Sequence, residues 1–477
     1  MMNAFTNPAR RFTRLAGTVL GIAGLAFAGA CDTISDELLT VPDVDVARPD
    51  ALVGVSALPV VLNSARGDFQ VAFSGSSGSE GVVTMTGLFT DEFEFAESFP
   101  TRVVWDQRDV TDVFNTSTLG IFRNLLRANA TARLAAERFA EYGPTDPGRM
   151  EALNLRGFTF ILAADTWCSG VAFSKLRDDG VAEFGSPITR QQMLDSAEAM
   201  FNAALAVAAP AGTARTTQEN LARVGLARVR WGRGDLAGAV SAGATVPPSF
   251  AYRVEHSANS GREWNGIWTF NSNQRRWTVA NNEGGNGLPF ITGNTTNPTV
   301  NIPAADPRVA PRRPAGNAGI GFDNVTPLFV TDKYNDRIVP VVLADGREVE
   351  LIRAEAEAVA GNVNYLARLN ALRDAVPALA PFDLTDPGTQ EGRVRQVFRE
   401  RALWMYLTGH RLGDLRRLVR PTAQGGYGYA VNTVYPVGPY KLGGSYGDNL
   451  MFLIPRPPED NNPNYPGGIA QCIDENP

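Results

Sequence analysis

The sequence predicts an all-α fold, a tetratricopeptide-like helical-repeat array of about four helix pairs carrying a large loop-rich insert. Three observations predict it. Apolar residues recur at helical spacing in paired segments, 117–166, 190–244, 348–377 and 388–420. Short turns punctuate the pairs, with Gly234-Asp235 between Trp231 and Leu236, and Gly361-Asn362 between Ala360 and Tyr365. Residues 245–345 break the pattern, being dense in Asn, Gly, Pro and Thr with no helical period. A helix pair cannot bury its apolar stripe alone, so such pairs stack. The many alanines let stacked helices approach closely.

The N-terminus carries an address. Arg10, Arg11 and Arg14 precede an apolar run from Leu15 to Ala30, too short and too rich in Gly and Ala for a membrane span. It ends Ala28-Gly29-Ala30-Cys31, which fits a bacterial lipoprotein signal peptide over residues 1–30, cut before Cys31 and lipidated there. The alternative is an ordinary secretory signal cut near Ala30. Cleavage removes three of the 44 basic residues and none of the 50 acidic ones, taking the formal net charge from −6 to −9. Bulk charge therefore excludes nucleic acid as a partner. Membrane attachment falls to the lipid, at ~0.8 kcal/mol per buried CH₂. Residues 31–50, acidic and Pro-bearing, read as a tether. Beyond them lie an N-terminal repeat region (51–244), the insert as ligand subdomain (245–345), C-terminal repeats (346–420) and a loop-rich end (421–477). If Cys31 is lipidated, Cys168 and Cys472 remain, and they form either one disulfide or two thiols.

Within the body, Leu58 to Leu62 opens the first helix, and Gly75 to Gly81 is a loop. A helix follows from about Thr118 to Tyr142. Asp146 as N-cap with Pro147 behind it starts another, reaching about Trp167. Thr189-x-x-Gln192 and Thr216-x-x-Glu219 read as capping boxes. Val349 to Ala360 and Tyr365 to Val376 form a pair, and Asp386-Pro387 repeats the N-cap solution. From Arg393 to Arg420, Val394, Val397, Phe398, Ala402, Met405 and Tyr406 line one helix. Gly409 breaks it, and Leu412, Leu415 and Val419 line a second, stopped by Pro421. Between the stripes lie Glu400, Arg401, Arg411, Asp414, Arg416 and Arg417. Arg411 and Asp414, three apart, can meet on one helix face.

The spacing Glu400-Arg401, Gly409-x-Arg411, Asp414-Leu415-x-Arg417 resembles the C-terminal signature of the SusD/RagB family. Trp404 and Thr408 stand where that pattern has glutamates. Further likeness lies in Leu126-Arg127-Ala128-Asn129, Cys168-Ser-Gly-Val-Ala-Phe, Glu350-Leu-Ile-Arg-Ala-Glu355-Ala, Leu369-Asn370-x-x-Arg373, and the closing Phe452-Leu-Ile-Pro455-Arg-Pro-Pro-Glu459 with Asn461-Asn462-Pro463-Asn464. The resemblance implies a non-catalytic outer-membrane lipoprotein, exposed at the cell surface. It would capture a nutrient and deliver it to a TonB-dependent barrel of the SusC kind. The charged residues of the signature would be structural, pairing to hold a helix hairpin.

Composition argues against catalysis. His256 and His410 are the only histidines, and no P-loop, H-E-x-x-H or G-x-S-x-G occurs. No cofactor and no metal centre is expected. Asp91, Glu92 and Glu94, the densest carboxylate group, read as solvated surface. Binding remains. Sugars offer C–H faces to aromatic rings and hydroxyls to polar side chains. Two regions supply both: Asp91 to Arg108, with Phe99, Trp105 and Arg108, and the insert, with Trp264, Trp268 and Trp277. In the family the ligand face resembles a meeting of these regions. For each aromatic, core packing is the competing reading, and Trp167, Trp231 and Trp404 on helix stripes read as core. Asn265, Asn271, Asn273, Arg262, Arg275 and Arg276 would supply polar partners. An oligosaccharide is favoured over a peptide. The rival function is a lipid-anchored helical-repeat scaffold for protein–protein interaction, which has no need of an aromatic, Asn-rich insert.

Overall fold

The computed structural model describes residues 52–177, 181–295, 297, 301–456 and 462–477. The signal segment, Cys31, the tether, and Glu459 and Asn461 of the closing motif lie outside the described residues.

The helical array is present. Its first members are α1 (Leu58–Ser74), α2 (Val82–Phe89), α3 (Pro100–Asp106), α4 (Thr116–Tyr142) and α5 (Pro147–Thr166). Then come α6 (Arg190–Leu205), α7 (Thr213–Gly232), α8 (Leu236–Ala242), α9 (Gly346–Val359), α10 (Asn364–Asp374), α11 (Gln390–Trp404) and α12 (Arg411–Val419). Helix α1 packs on α4, and α4 through α9 pack each on the next; α9 also takes α10 and α11. Helix α12 packs on α2 and α5, closing the array back onto its own beginning. Among the described residues no helix is long and apolar enough to cross a membrane.

Local chemistry explains the boundaries. Asn115 accepts from the Ser117 and Thr118 amides at 3.1 Å, and Asp146 from Gly148 at 2.7 Å. Thr189 and Gln192 cap each other, at 3.3 and 2.8 Å. Gly234 turns with φ +86°, a conformation that favours glycine, and Asp235 caps α8 through the Gly238 amide at 2.8 Å. Close approach comes partly from glycine. A Cβ at Gly157 of α5 would fall 2.7 Å from the Phe201 ring of α6, and one at Gly225 of α7 closer still.

Two caps differ from the sequence reading. Helix α7 starts one turn earlier, at Thr213, so Thr216 lies inside it and Glu219 pairs with Arg215 at 2.7 Å. Helix α11 is capped by Thr389, which accepts from the Gly392 amide at 3.1 Å. Asp386 instead holds the Arg393 guanidinium at 2.9 and 2.8 Å.

The final hairpin also differs. Helix α11 stops at Trp404, and Tyr406 and Leu407 beyond it take partners outside the hairpin. Leu407 adopts φ +50° and gives its amide to Glu92 Oε1 at 2.7 Å, and its carbonyl accepts from the Tyr334 hydroxyl at 3.0 Å. Tyr406 donates its hydroxyl to the Glu92 carbonyl at 2.8 Å. Arg411 and Asp414 do not pair. Asp414 takes Arg401 at 2.9 Å, and Arg411 reaches Asp91. Arg417 reaches Glu355 at 2.9 Å, while Glu400 holds Arg308 at 2.5 Å and also Arg373. Of these five signature charges, Arg401 and Asp414 tie the hairpin to itself, while Glu400, Arg411 and Arg417 tie it to the rest of the molecule. Buried charges need such partners, and a neighbour on the same helix face supplies fewer hydrogen bonds than a facing carboxylate.

The insert leaves and returns at one place. Strand β1 (Phe93–Phe95) lies before it, and β2 (Ala251–Val254), β3 (Trp277–Val279) and β4 (Val341–Asp345) lie within it. Strands β2 and β4 pair antiparallel, Val254 opposite Val341 and Ala251 opposite Asp345. Cys168 and Cys472 form a disulfide. It joins the segment after α5 to the C-terminal tail, where Ser169 and Asp474 also bridge.

Candidate ligand-binding face

Strand pairing brings the two expected regions together. Strands β1 and β3 run antiparallel, Phe93 opposite Val279 and Phe95 opposite Trp277. The 91–108 segment is thereby an edge of the insert.

Three residues expected at the ligand face are interior. Trp277 is fully buried, stacks on Phe270 at 4.6 Å and donates Nε1 to Glu97 at 3.1 Å. Trp105 is fully buried and donates to Thr118 Oγ1 at 2.9 Å. Arg108 is buried over the Tyr435 ring, donating to the Asn449 and Pro436 carbonyls at 2.9 and 2.5 Å. Burial pushes its pKa down. The core-packing reading holds for these three, and for Trp167, Trp231 and Trp404. Strand alternation gives the reason for Trp277: it faces the same side as Phe95, into the body.

What reaches the surface is a different set. Phe99 is 41% exposed and Phe322 is 42% exposed. The Arg276 guanidinium lies between their rings, 4.7 Å from one centroid and 4.8 Å from the other. Arg102 stands over Phe99 at 4.9 Å. Buried Glu97 fixes both cations, accepting from Arg276 at 2.6 Å and Arg102 at 3.1 Å. Backbone bonds set Phe322 in place: its amide goes to Arg275 at 2.8 Å, and that of Asp323 to Ala96 at 3.1 Å. Phe322 was invisible in the sequence because it sits alone in a Gly-rich loop with no period to mark it.

Trp264 and Trp268 are half-buried, in a T-shaped pair at 6.0 Å, with Arg337 over Trp264 at 5.1 Å. The Gly75–Gly81 loop spans from them to the Phe99 cluster. The Ser77 amide donates to the Gly261 carbonyl at 2.9 Å, its carbonyl accepts from Gln274 Nε2 at 3.0 Å, and Glu80 pairs with Arg102. Next to the tryptophans opens a cleft of about 810 Å³, lined in part by Arg66, Gln70, Tyr252, His256, Arg262 and Glu263. Burial holds His256 neutral, its pKa lowered to about 4.

Several expected polar partners are already engaged. Asn265 caps a helical turn through the Ile267 amide at 2.8 Å, and Asn271 is buried between Trp277, Phe329 and Thr331. Arg262 pairs with Asp68, and Arg275 donates to the Asn317 carbonyl at 2.8 Å. Asn273 is exposed. Asp91 and Glu92 are buried rather than solvated, because the α11–α12 turn seats on them. Burial pushes Glu92 up to about 8. Glu94 is partly buried and holds Lys441 at 2.9 Å.

No protein-family model matches the chain, and no curated protein does. Solved structures do. A SusD superfamily protein from Parabacteroides distasonis superposes with a TM-score of 0.59 at 14% identity, over 86% of this chain and 98% of its own. A SusD/RagB family protein from Bacteroides thetaiotaomicron gives 0.53 at 13% identity, over 78% and 90%. A SusD-like carbohydrate-binding protein from Bacteroides vulgatus gives 0.51 at 12% identity, over 76% and 83%. The chain has the fold of the SusD/RagB family.

Proposed function

We propose that this chain is an outer-membrane lipoprotein at the cell surface that captures an oligosaccharide without cleaving it. It passes the ligand to a TonB-dependent outer-membrane barrel of the SusC kind. Cys31 carries the lipid after residues 1–30 are removed, and residues 31–50 are the tether.

The observation that carries the ligand class is the Phe99–Arg276–Phe322 cluster at the junction of the two regions. Exposed rings beside guanidinium donors suit a ligand with C–H faces and hydroxyl edges. Trp264 and Trp268 extend the same face beyond the Gly75–Gly81 loop. Stacking contributes of order 1 kcal/mol per ring, so affinity falls roughly in the micromolar-to-millimolar range. Glu97, the carboxylate beside the rings, is buried and held by three donors. It positions the cations rather than protonating a glycosidic oxygen. The fold likeness, which includes a SusD-like carbohydrate-binding protein, supports the same reading.

A glycan array, followed by titration calorimetry on the mature chain, tests it. Phe99→Ala with Phe322→Ala abolishes glycan binding while circular dichroism stays unchanged. Parental binding by that variant sinks the assignment of the face. A parent that binds peptides and no glycan sinks the sugar and keeps the capture role. Gentle detergent pull-down recovers a barrel protein, and recovery of none counts against the partner.

A further inference from the structure

A second cavity lies away from the aromatic face and shares no lining residue with it. It measures about 400 Å³, and its walls include Arg395, Arg399, Arg411, Asn282, Asn286 and Gly287. Two of the arginines are balanced. Arg395 pairs with Glu391 at 2.8 Å, and Arg411 with Asp91 at 2.6 Å. Arg411, which lines the cavity, spends Nε and Nη2 on that carboxylate, and among the described residues its Nη1 makes no hydrogen bond.

Arg399 is different. It is half-buried, lines the cavity, and among the described residues has neither a hydrogen bond nor an ion pair. A guanidinium has five donors, and those of Arg399, with no protein acceptor among the described residues, stay open to the solvent of the cavity. Burial lowers its pKa, and the positive charges of Arg395 and Arg411 lower it further. The apolar part of the wall, from Phe398, Leu415 and Leu418, reduces the screening of that field.

We propose that this cavity binds an oxyanion, a carboxylate, sulfate or phosphate group, with Arg399 as the principal ligand and Arg411 Nη1 as the second donor. A guanidinium matches such groups by a forked pair of charge-assisted bonds. The volume exceeds that of a bare ion, so the group can be free or carried on a sugar.

Titration calorimetry of the mature chain, at ionic strength matched with sodium chloride, tests the site with sodium phosphate, sodium sulfate and sodium glucuronate; glucose is the neutral control. Saturable binding of at least one anion and none of glucose is expected. Arg399→Gln weakens it by about tenfold or more, and Arg395→Gln, on the same wall, by less. Binding of glucuronate alone assigns the anion to a sugar acid; binding of the inorganic ions as well assigns it to the oxyanion itself. Because Arg399 makes no bond among the described residues, Arg399→Gln melts close to the parental temperature, so a loss of binding is not a loss of fold. No saturable binding of any of the three anions overturns the site, as does an Arg399→Gln protein that binds like the parent. The Phe99→Ala, Phe322→Ala protein keeps its anion binding, which separates this site from the glycan face.

Discussion

Arg411 holds Asp91 by two parallel bonds, Nε to Oδ1 at 2.6 Å and Nη2 to Oδ2 at 2.8 Å, across 320 residues of sequence. Asp91 also accepts from the Leu288 amide at 2.9 Å, so one buried carboxylate joins α12, the insert and the start of β1. Replacing Arg411 by Met leaves that carboxylate buried and short of its cation. The expected cost is about 3–5 kcal/mol. Urea denaturation measures it, and a double-mutant cycle with Asp91→Asn should show strong coupling between the two sites. Additive effects would mean that the pair holds nothing together.

Burial separates Trp277 from the ligand face. Trp277→Ala removes a ring stacked on Phe270 and leaves Glu97 without one of its three donors. It should cost about 3–5 kcal/mol, read as a lower denaturation midpoint. At temperatures where it remains folded, it should bind ligand as the parent does. Loss of binding with unchanged stability would return Trp277 to the surface role that the sequence suggested.

Glu92 makes stability fall as pH rises. Its folded-state pKa lies near 8, against 4.5 ordinarily, because burial disfavours the charged form. Below about 4.5 both states hold the proton. Between about 4.5 and 8 the unfolded chain releases it and the folded chain keeps it, so unfolding is favoured progressively across that window. Glu92→Gln keeps an acceptor for the Leu407 amide and removes the titration. The variant should therefore gain on the parent in chemical denaturation as pH rises from about 5 to 8. A constant difference between the two would show that Glu92 does not titrate in this window.

The Cys168–Cys472 disulfide closes a loop of sequence separation 304. Constraining so long a loop in the unfolded chain gives up to about 5 kcal/mol on the chain-entropy account. Cys472→Ser should lower the denaturation midpoint, and a reductant should bring the parent to the same value. The tail should stay in place after reduction, since Arg416 reaches the Asn476 carbonyl at 3.2 Å and Ile473 bonds Ser169 at 2.8 Å. Proteolysis of the tail in the reduced parent would show that the disulfide alone fixes it.

The repeats were legible because helical period and caps are local. Asp146 and Thr189 cap as their spacing suggests. Asp386 was misread since its competing partner, Arg393, lies in the helix it was expected to start. The same limit governs the charges. Arg411 and Asp414 stand three apart, but their partners are set by tertiary approach, and nothing near Asp91 in sequence announces Arg411. In the insert, the meeting of two regions was foreseeable through the family likeness, whereas the choice of rings was not. A tryptophan in a loop reads as exposed until β1 pairs with β3 and turns Trp277 inward, and Phe322 carries no neighbouring signal at all.

The docking of α12 on α2 and α5 has a consequence for how the chain is made. Synthesis proceeds from the N-terminus. All eight residues of α2 are buried in the finished protein, and part of what covers them is the Leu407 side chain, beside Gly87, and helix α12. A growing chain therefore carries an uncovered apolar segment until nearly its last helix has emerged. An open solenoid could set each repeat as it appears; this one closes only when its end arrives. Closure over α2 then comes last, and until that moment the segment around Val82–Phe89 is what a holding chaperone would have to shield.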